Sequence, residues 1–313
     1  MSIHYGNATT IPSAEFRFAS PDGLRISCAR WDGRAPVIGV VQIAHGMGEH
    51  IGRYVALIEV LVAAGLTVYG NDHRGHGRTV ASKKHFGNFG AGGFDLLVED
   101  MLQLSLIAKK ENPDKPFILL GHSMGSFAAQ QYVLDHSGEI DGLALSGSGA
   151  LDGLARLVSS ASQGSSSSDI LNACFEPVRT PFDWLSRDSA VVDAFINDPL
   201  CFPELQPAAF ASFFGAARLL SDPLRLRRIR HDLPIYIFSG SKDPVGQQLE
   251  GIRVLIDRYY EAEIYDITHD FYADGRHEML NEINSSEVRA NLLRWISAVL
   301  EKKNRATEAV SLA

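Results

Sequence analysis

Residues 117–128 read Phe117-Ile-Leu-Leu-Gly121-His-Ser123-Met-Gly125-Ser-Phe-Ala128, an apolar run followed by two glycines that flank a serine. The run predicts a buried strand, and residues 125–136 predict a helix. A Gly-x-Ser-x-Gly motif between a strand and a helix is typical of a nucleophile elbow, a sharp turn that exposes the serine Oγ above a sheet. We therefore expect Ser123 to be a catalytic nucleophile, with a purely structural turn as the alternative.

Short apolar runs and amphipathic stretches alternate on both sides of this motif. The runs that predict buried strands are 37–44, 66–70, 116–120, 142–146, 234–239 and 263–267. The stretches that predict helices are 51–64, 94–111, 125–136, 248–260 and 286–302. Such alternation indicates an α/β fold with a mostly parallel sheet covered on both faces. Residues 15–20 and 24–31, joined by Pro21-Asp22-Gly23, predict an antiparallel hairpin at one edge of that sheet.

One interval interrupts the alternation. Residues 149–230 contain no convincing strand, begin with a serine-rich patch at 159–168, and carry seven of the 16 phenylalanines of the chain. A polar loop followed by aromatic helical segments predicts an inserted helical cap. The remaining residues, 1–148 and 231–313, have an ordinary length for one α/β domain. The tail 304–313 shows no strong structural signal, and we expect it to be frayed.

Composition and charge exclude several classes of protein. The 313-residue chain is 45% hydrophobic with a net charge of −8, which is ordinary for a globular protein and lacks the basic footprint of a nucleic-acid binder. No apolar stretch is long enough for a transmembrane helix, and the N-terminus lacks the pattern of a secretory signal. The three cysteines, Cys28, Cys174 and Cys201, form no CxxC pair, so a reducing, cytoplasmic location is expected.

A serine nucleophile needs a base, and the base needs an acid to orient it. In folds with this elbow the acid and then the histidine follow the serine, each on a loop after a late strand. Asp243 follows the predicted strand 234–239, and His277 follows the last one. The rivals are three carboxylates and one histidine: Asp266, Asp270, Asp274 and His269. Asp266 falls inside the last predicted strand and His269 lies too close to its end, so Asp243 and His277 are preferred.

The oxyanion that forms during acyl transfer needs two preorganised N–H donors. Met124 N–H is one candidate, and Met47 N–H, in the Gly-rich loop 45–50, is the other. The same loop holds His45, Glu49 and His50, but a metal site would need two ligands on one helical face. We therefore expect no metal and no cofactor.

Several motifs occur together and in order: His45-Gly-Met-Gly-Glu-His-Ile-Gly-Arg53-Tyr54, Asp72-His-Arg-Gly-His-Gly77, Gly121-His-Ser-Met-Gly125, Asn197-Asp-Pro-Leu200, Ser241-Lys-Asp243 and His277-Glu278. Over about residues 15–300 the chain resembles the monoacylglycerol lipase/lysophospholipase family of α/β-hydrolases, which is also grouped with serine aminopeptidases. The resemblance implies a triad of Ser123, Asp243 and His277, with the Met47 and Met124 amides as the oxyanion hole. Ser126 departs from the family, where glycine is common, and Met47 is larger than the usual residue.

The aromatic residues of the cap are candidates for two roles. Most are expected to form the core of the cap itself, but some should line a cleft for an apolar acyl chain. The candidates for substrate contact are Phe182, Trp184, Phe202 and Phe213. Their number would also suit transient contact between the cap and a membrane surface, and nothing in the sequence indicates an oligomeric state. Arg53, Tyr54 and residues 72–77 are expected to brace loops.

The sequence thus predicts a serine ester hydrolase that forms an acyl-enzyme on Ser123. The resemblance implies monoacylglycerol-like or lysophospholipid-like esters as substrates. Because the base must be neutral, activity should fall as the pH drops through a His277 pKa of about 6 to 7. Two alternatives stay open: a peptidase or amidase with the same triad, and a binding module that keeps the fold without catalysis.

Overall fold

The computed structural model describes the backbone at residues 11–160 and 167–311 and the side chains at residues 11–160 and 168–305. The strands within these ranges are β1 (Ala14–Ala19), β2 (Arg25–Trp31), β3 (Gly39–Ala44), β4 (Leu66–Asp72), β5 (Phe117–His122), β6 (Gly142–Ser146), β7 (Ile235–Gly240) and β8 (Ile267–Tyr272). They form one sheet in the order β1-β2-β4-β3-β5-β6-β7-β8. The centre of the serine-rich patch, residues 161–166, lies outside the described residues.

The helices complete the alternation predicted from the sequence. They are α1 (Val55–Ala63), α2 (Gly93–Glu111), α3 (Met124–His136), α4 (Leu151–Ser159), α5 (Ser167–Asn172), α6 (Ser189–Asn197), α7 (Pro207–Gly215), α8 (Ala217–Leu220), α9 (Pro223–Leu226), α10 (Glu250–Glu261) and α11 (Ser285–Ser311). Short 3-10 turns lie at Ile51–Tyr54, Gly77–Thr79, Lys83–His85, Ser137–Glu139, Asp183–Leu185 and Met279–Asn281. In this part of the chain no helix is both long enough and apolar enough to cross a bilayer.

The pairing of the strands confirms the predicted sheet. The β1–β2 hairpin is antiparallel and joins β4 in antiparallel fashion, whereas β4, β3, β5, β6, β7 and β8 pair in parallel. All residues of β3, β5, β6 and β7 are buried, as continuous apolar strands in a doubly covered sheet should be. One apolar layer lies between the sheet and α2, α3 and α10, and a second lies under α1 and α11.

Two sequence predictions were wrong: the position of the last strand and the conformation of the tail. The last strand spans Ile267–Tyr272 rather than 263–267, so Asp266 precedes it and His269 lies inside it. This strand is at the edge of the sheet and only half-buried, so it lacks the apolar run that marks a central strand. Residues 304–311 of the tail are helical rather than frayed, since α11 continues to Ser311 through residues rich in good helix formers.

The interval between β6 and β7 is helical where it is described. It contains α4 to α9 and the 3-10 turn Asp183–Leu185, with no strand among residues 149–160 and 167–230. The carboxyl ends of β3, β5, β6, β7 and β8 lie on the same side of the sheet, because these strands run in parallel. The loops that follow β3, β5, β7 and β8 carry the candidate catalytic residues.

Candidate active site

Ser123 occupies a strained turn between β5 and α3. Its backbone has φ 52° and ψ −123°, a conformation that non-glycine residues rarely adopt and that is associated with functional sites. The turn is held by a hydrogen bond from Ser123 N–H to the Ser146 carbonyl (2.9 Å). A Cβ at Gly125 would lie 2.2 Å from the Ala44 carbonyl oxygen, so only glycine fits there. The Gly-x-Ser-x-Gly motif therefore has the elbow geometry expected of it.

Ser126, which stands where the family often has glycine, strengthens this turn. Its hydroxyl donates to the Ser123 carbonyl (2.6 Å), and its Oγ lies 2.9 Å from the Ser148 Oγ. The Gln130 amide also donates to the Ser148 Oγ (2.9 Å). These contacts connect the elbow to the loop after β6, so the substitution adds a brace and leaves the shape of the turn intact.

Asp243 and His277 meet at the ends of β7 and β8. The His277 Nδ1 lies 2.9 Å from the Asp243 Oδ1, and both side chains are buried. Asp243 also accepts hydrogen bonds from Val245 N–H (2.9 Å) and the Ser239 hydroxyl (3.0 Å). The contact with Asp243 leaves the Nε2 of His277 as the atom available to a nucleophile.

The electrostatics of this pair suit a general base. Burial alone would raise the pKa of Asp243, but the His277 ring and the hydrogen bonds to the carboxylate outweigh it and lower that pKa. Burial alone would lower the pKa of His277, but the charge of Asp243 outweighs it, and the pKa of His277 is raised above its usual value of about 6.5. Asp243 therefore stays ionised and stabilises the imidazolium that proton transfer would produce.

Two rings and one glycine fix the position of the His277 ring. Its centroid lies 4.7 Å from that of His122, the residue before Ser123, and 4.9 Å from that of Trp184. A Cβ at Gly147, whose φ is +55°, would lie 2.8 Å from the His277 Cε1. Because Gly147 follows the strand that binds the Ser123 amide, His277 stands beside the elbow.

The rival residues lie elsewhere. Asp266 pairs with Lys302 at the surface (2.7 Å), and Asp270 accepts from the Tyr236 hydroxyl. His269 is exposed in β8 with its ring stacked on Phe271 at 4.7 Å. Asp274 is exposed beside Ser241, whose Oγ accepts its N–H (2.9 Å).

The loop after β3 holds Met47 next to the elbow. Gly46 N–H donates to the Glu49 carboxylate (2.6 Å), and Phe202 N–H donates to the Gly48 carbonyl (2.9 Å), so both sides of Met47 are fixed. Met124 is the first residue of α3, where helical N–H groups have no intrahelical acceptor. Met47, Ser123 and Met124 line one cavity. A pair of amide donors from these two methionines remains a prediction.

Arg53 connects this loop to the loop that carries His277. Its guanidinium contacts Glu49 (2.8 Å) and forms a two-pronged ion pair with Glu278 (2.6 and 2.8 Å), all largely buried. Burial would raise the pKa of Glu49, but Arg53 and the neighbouring histidines lower it to about 2. Sequence reasoning assigned Arg53 to bracing but missed its partner Glu278, because no spacing rule joins residues that are 225 positions apart.

A cluster of three buried histidines lies behind the same loop. The His45 Nε2 accepts from His73 N–H (2.9 Å), and the ring centroids of His45 and His76 are 5.2 Å apart. Burial lowers the pKa of all three, that of His76 to about 3, so they are neutral at physiological pH. Nearby, the buried Arg74 pairs with Asp100 (2.8 Å). The segment 72–77 thus packs as a brace.

Among residues 11–160 and 168–305, one group of three possible metal ligands lies close together: His50, Asp198 and Cys201. The His50 Nδ1 accepts a hydrogen bond from Gly52 N–H (3.2 Å), so the hydrogen of the neutral ring is on Nε2. That Nε2 lies 2.9 Å from the Asp198 Oδ2. The donor set therefore fits a hydrogen-bonded pair between the loop 45–50 and the interval 149–230 better than it fits a cation.

A small, partly open apolar cavity lies beside Ser123. Its walls come from both the sheet side and the cap: Met47, Ser123, Met124, Phe127, Leu154, Val158, Leu171, Trp184, Phe210, Phe213, Phe214 and Val245. Of the four predicted substrate contacts, Trp184 and Phe213 line this cavity. Phe182 packs on Phe195 (5.0 Å between centroids) and Phe202 on Phe86 (5.0 Å), outside the cavity wall. The arrangement suits apolar groups of a substrate that lie beside a nucleophile.

The chain is similar to a protein family and to several known proteins. Residues 35–284 match the model of the family described as serine aminopeptidase, S33. The chain is similar to the monoacylglycerol lipase of Mycolicibacterium smegmatis, with 32% identity over 294 residues, 90% of this chain and 96% of that protein. It is also similar to the human monoglyceride lipase, with 28% identity over 88% of each chain.

Solved structures show the same architecture. A thermostable carboxyl esterase from Bacillus coagulans, crystallised with glycerol, superposes with a TM-score of 0.80 at 28% identity and covers 93% of this chain and 100% of its own. A soluble variant of monoglyceride lipase from Saccharomyces cerevisiae gives a TM-score of 0.68 at 20% identity over 94% of this chain and 96% of its own. The second likeness concerns the fold alone.

Proposed function

The chain belongs to the serine aminopeptidase S33 family of α/β-hydrolases, and from this premise we propose that it cleaves monoacylglycerol-like carboxylic esters through an acyl-enzyme on Ser123. It is a serine ester hydrolase, and its relatives are named monoacylglycerol lipase and monoglyceride lipase. We further propose that residues 1–148 and 231–313 form the catalytic core and that residues 149–230 form a cap that selects the substrate. The observation that carries the proposal is the apolar cavity that Ser123 lines together with apolar and aromatic side chains.

The proposed reaction follows from the positions of three side chains. His277 Nε2 accepts the Ser123 proton as Oγ attacks the ester carbonyl, and Asp243 holds Nδ1–H of the resulting imidazolium. The Met47 and Met124 amides would bind the oxyanion. The imidazolium then protonates the departing alcohol. A water molecule, deprotonated by the same ring, attacks the acyl carbonyl, and the imidazolium returns the proton to Ser123 Oγ as the fatty acid is released.

The lining of the cavity favours an ester with a long acyl chain over a peptide. Every described residue that lines it, Ser123 apart, has an apolar or aromatic side chain. A hydrocarbon chain gains about 0.8 kcal/mol for each CH₂ buried against such a wall. An aminopeptidase needs a carboxylate near the scissile bond to hold the substrate ammonium, and this wall offers none among its described residues. Peptidase or amidase activity is the second candidate because of the family description.

The decisive experiment replaces the nucleophile. Ser123→Ala should lower kcat toward monoacylglycerols by about 10⁶-fold and abolish labelling by a fluorophosphonate probe, with an unchanged circular dichroism spectrum. Ser160→Ala, which removes an exposed hydroxyl from the cap, is the matched control and should keep full activity. Persistent turnover in Ser123→Ala would refute the mechanism.

A panel of substrates tests the proposed specificity. Monoacylglycerols of graded chain length should be cleaved faster than aminoacyl arylamides, and lysophospholipids are included to separate the two ester classes. A preference for arylamides would establish the peptidase alternative instead.

We propose a cytoplasmic location with transient contact between the cap and lipid surfaces. All three cysteines are free thiols, which suits a reducing compartment. Within the cap, Leu224 is 76% exposed and Ile196 is 44% exposed, so apolar side chains are available for such contact.

A further inference from the structure

Glu282 is a buried carboxylate that the proposed mechanism does not use. Its side chain is fully buried, five residues after His277. One oxygen accepts hydrogen bonds from the backbone N–H groups of Arg187 (3.1 Å) and Arg276 (3.0 Å). The other accepts from the Arg187 Nε (3.1 Å) and from Ile283 N–H (2.9 Å). The carboxylate thus accepts four hydrogen bonds, two from the cap and two from the chain around His277. We call the contact between these two segments the seam.

The cap side of this seam is a strip of five residues, 183–187, which we call the cap strip. Its carbonyl groups accept hydrogen bonds from residues 273–278, the loop that bears His277, which we call the histidine loop. His277 N–H donates to the Trp184 carbonyl (3.3 Å), and Glu278 N–H donates to the Leu185 carbonyl (2.7 Å). The backbone on both sides of His277 is therefore paired with the cap strip. Movement of the strip would move the His277 main chain with it.

Arg276 adds side-chain contacts across the same seam. Its guanidinium donates to the carbonyl groups of Asp183 and Ser186, and it lies over the Phe175 ring at 4.4 Å. The Arg276 N–H is one of the four donors to Glu282, so this residue is held by both its main chain and its side chain. The residue immediately before the base is thereby fixed against the cap.

We propose that Glu282 is a positioning residue that couples the docking of the cap strip to the orientation of His277. The coupling rests on the proposed function, because it matters only if His277 is the base for Ser123. A carboxylate can satisfy all four N–H donors, whereas an amide of the same shape offers one oxygen and turns its NH₂ toward two of them. Glu282→Gln should therefore release part of the seam with almost no change in volume.

The test separates placement of the base from binding of the substrate. For Glu282→Gln we expect kcat to fall about 10²-fold, since small errors in the position of a catalytic group cost about this much. The fall should be equal for p-nitrophenyl butyrate and for a long-chain monoacylglycerol, with KM within about twofold of wild type. The rate of fluorophosphonate labelling of Ser123 should fall by a similar factor.

Two outcomes would overturn the coupling: wild-type kcat, or a rise in KM for the long-chain ester alone, which would mean that Glu282 only supports the cavity wall. Glu111→Gln makes the same change at a carboxylate that accepts from Arg30 (2.9 Å) and from the Tyr69 hydroxyl (2.6 Å) at the end of α2, away from the seam, and serves as the matched control for general loss of stability. Its kcat should equal that of wild type at a temperature where it is folded.

A second variant decides the matter if Glu282→Gln does not fold. Arg187→Lys keeps the charge and the backbone donor but removes the Nε–H contact with Glu282 and the contact with the Asn284 amide oxygen (3.2 Å). It should lower kcat about tenfold with the same unchanged KM, and an unaltered kcat would overturn the proposal. Wild type and Ser123→Ala are assayed in parallel. Absence of Ser123-dependent hydrolysis would refute the proposed function, whereas an active wild type with equally active seam variants would refute the coupling alone.

Discussion

The central strands and the cap differ in what holds them in place. Every residue of β3, β5, β6 and β7 is buried, and backbone ladders fix the loops at their ends. The cap helices α6 and α7 have nine residues each, of which only two per helix are buried. The proposed reaction geometry therefore rests on backbone pairing that tolerates little variation, whereas the proposed cap presents side chains that can change without disturbing the sheet.

The first test of this difference removes a proposed catalytic carboxylate from the loop after β7. Asp243→Asn should lower kcat by about 10⁴-fold for every ester, because an amide cannot stabilise the His277 imidazolium and favours the wrong tautomer. Steady-state kinetics with a short and a long ester measure the effect. A loss of kcat confined to one chain length would show that Asp243 contributes to substrate selection rather than to the reaction itself.

Asp274→Asn is the matched control for that experiment. Asp274 is an exposed aspartate on the histidine loop with φ 55°, a conformation that asparagine tolerates. It should retain wild-type kcat and KM. A large loss in this variant would point to the rival acid.

The second test alters the part of the cavity wall that the cap contributes. Phe210 lines the cavity and packs on Phe214 with 4.7 Å between centroids. Phe210→Ala should lower kcat/KM for a long-chain monoacylglycerol about 10- to 100-fold, equivalent to about 1.5–3 kcal/mol of lost apolar burial. The value for p-nitrophenyl butyrate should stay within about twofold of wild type.

Leu219→Ala provides the comparison, since Leu219 is a half-buried cap residue that does not line the cavity. Both esters should be hydrolysed as by wild type. Equal losses for the two esters in Phe210→Ala would contradict a substrate-selecting wall.

The smallest expected effect is on the pH profile. The pKa of His277 is raised above about 6.5 mainly by the charge of Asp243, which outweighs burial. Because the base acts when neutral, kcat/KM should decline as the pH falls through a midpoint above about 6.5, at the upper end of the range inferred from the sequence. Initial rates from pH 5 to 9 locate this limb. A midpoint below about 6 would mean that burial of the ring dominates.

Most of the sheet and the proposed triad could be predicted because both depend on local patterns. Central strands such as β5 read as continuous apolar runs, and the glycines around Ser123 mark the elbow. The edge strand β8 was misplaced because its residues Thr268, His269 and Asp270 are polar, and the buried Ile264 just before it completed a misleading apolar run. The order of Asp243 and His277 along the chain survived this error, since both still follow a strand.

The contacts that connect distant segments could not be predicted from the sequence. Arg53 meets Glu278, and Arg187 meets Glu282, across separations of 225 and 95 residues. A sequence shows that such residues are charged but not which of them become neighbours. For the same reason, Trp184 and Phe213 could not be distinguished from Phe182 and Phe202 as residues that line the cavity.

The seam between the cap strip and the histidine loop also bears on synthesis of the protein. Ser123 leaves the ribosome about 150 residues before His277, and the cap strip emerges between them. At about 5–20 residues per second the elbow then exists for roughly 8 to 30 s before its base is made. During that interval a nascent chain that holds Ser123 lacks the proposed base, so we expect hydrolytic activity to begin only when β8 and the loop after it join the sheet.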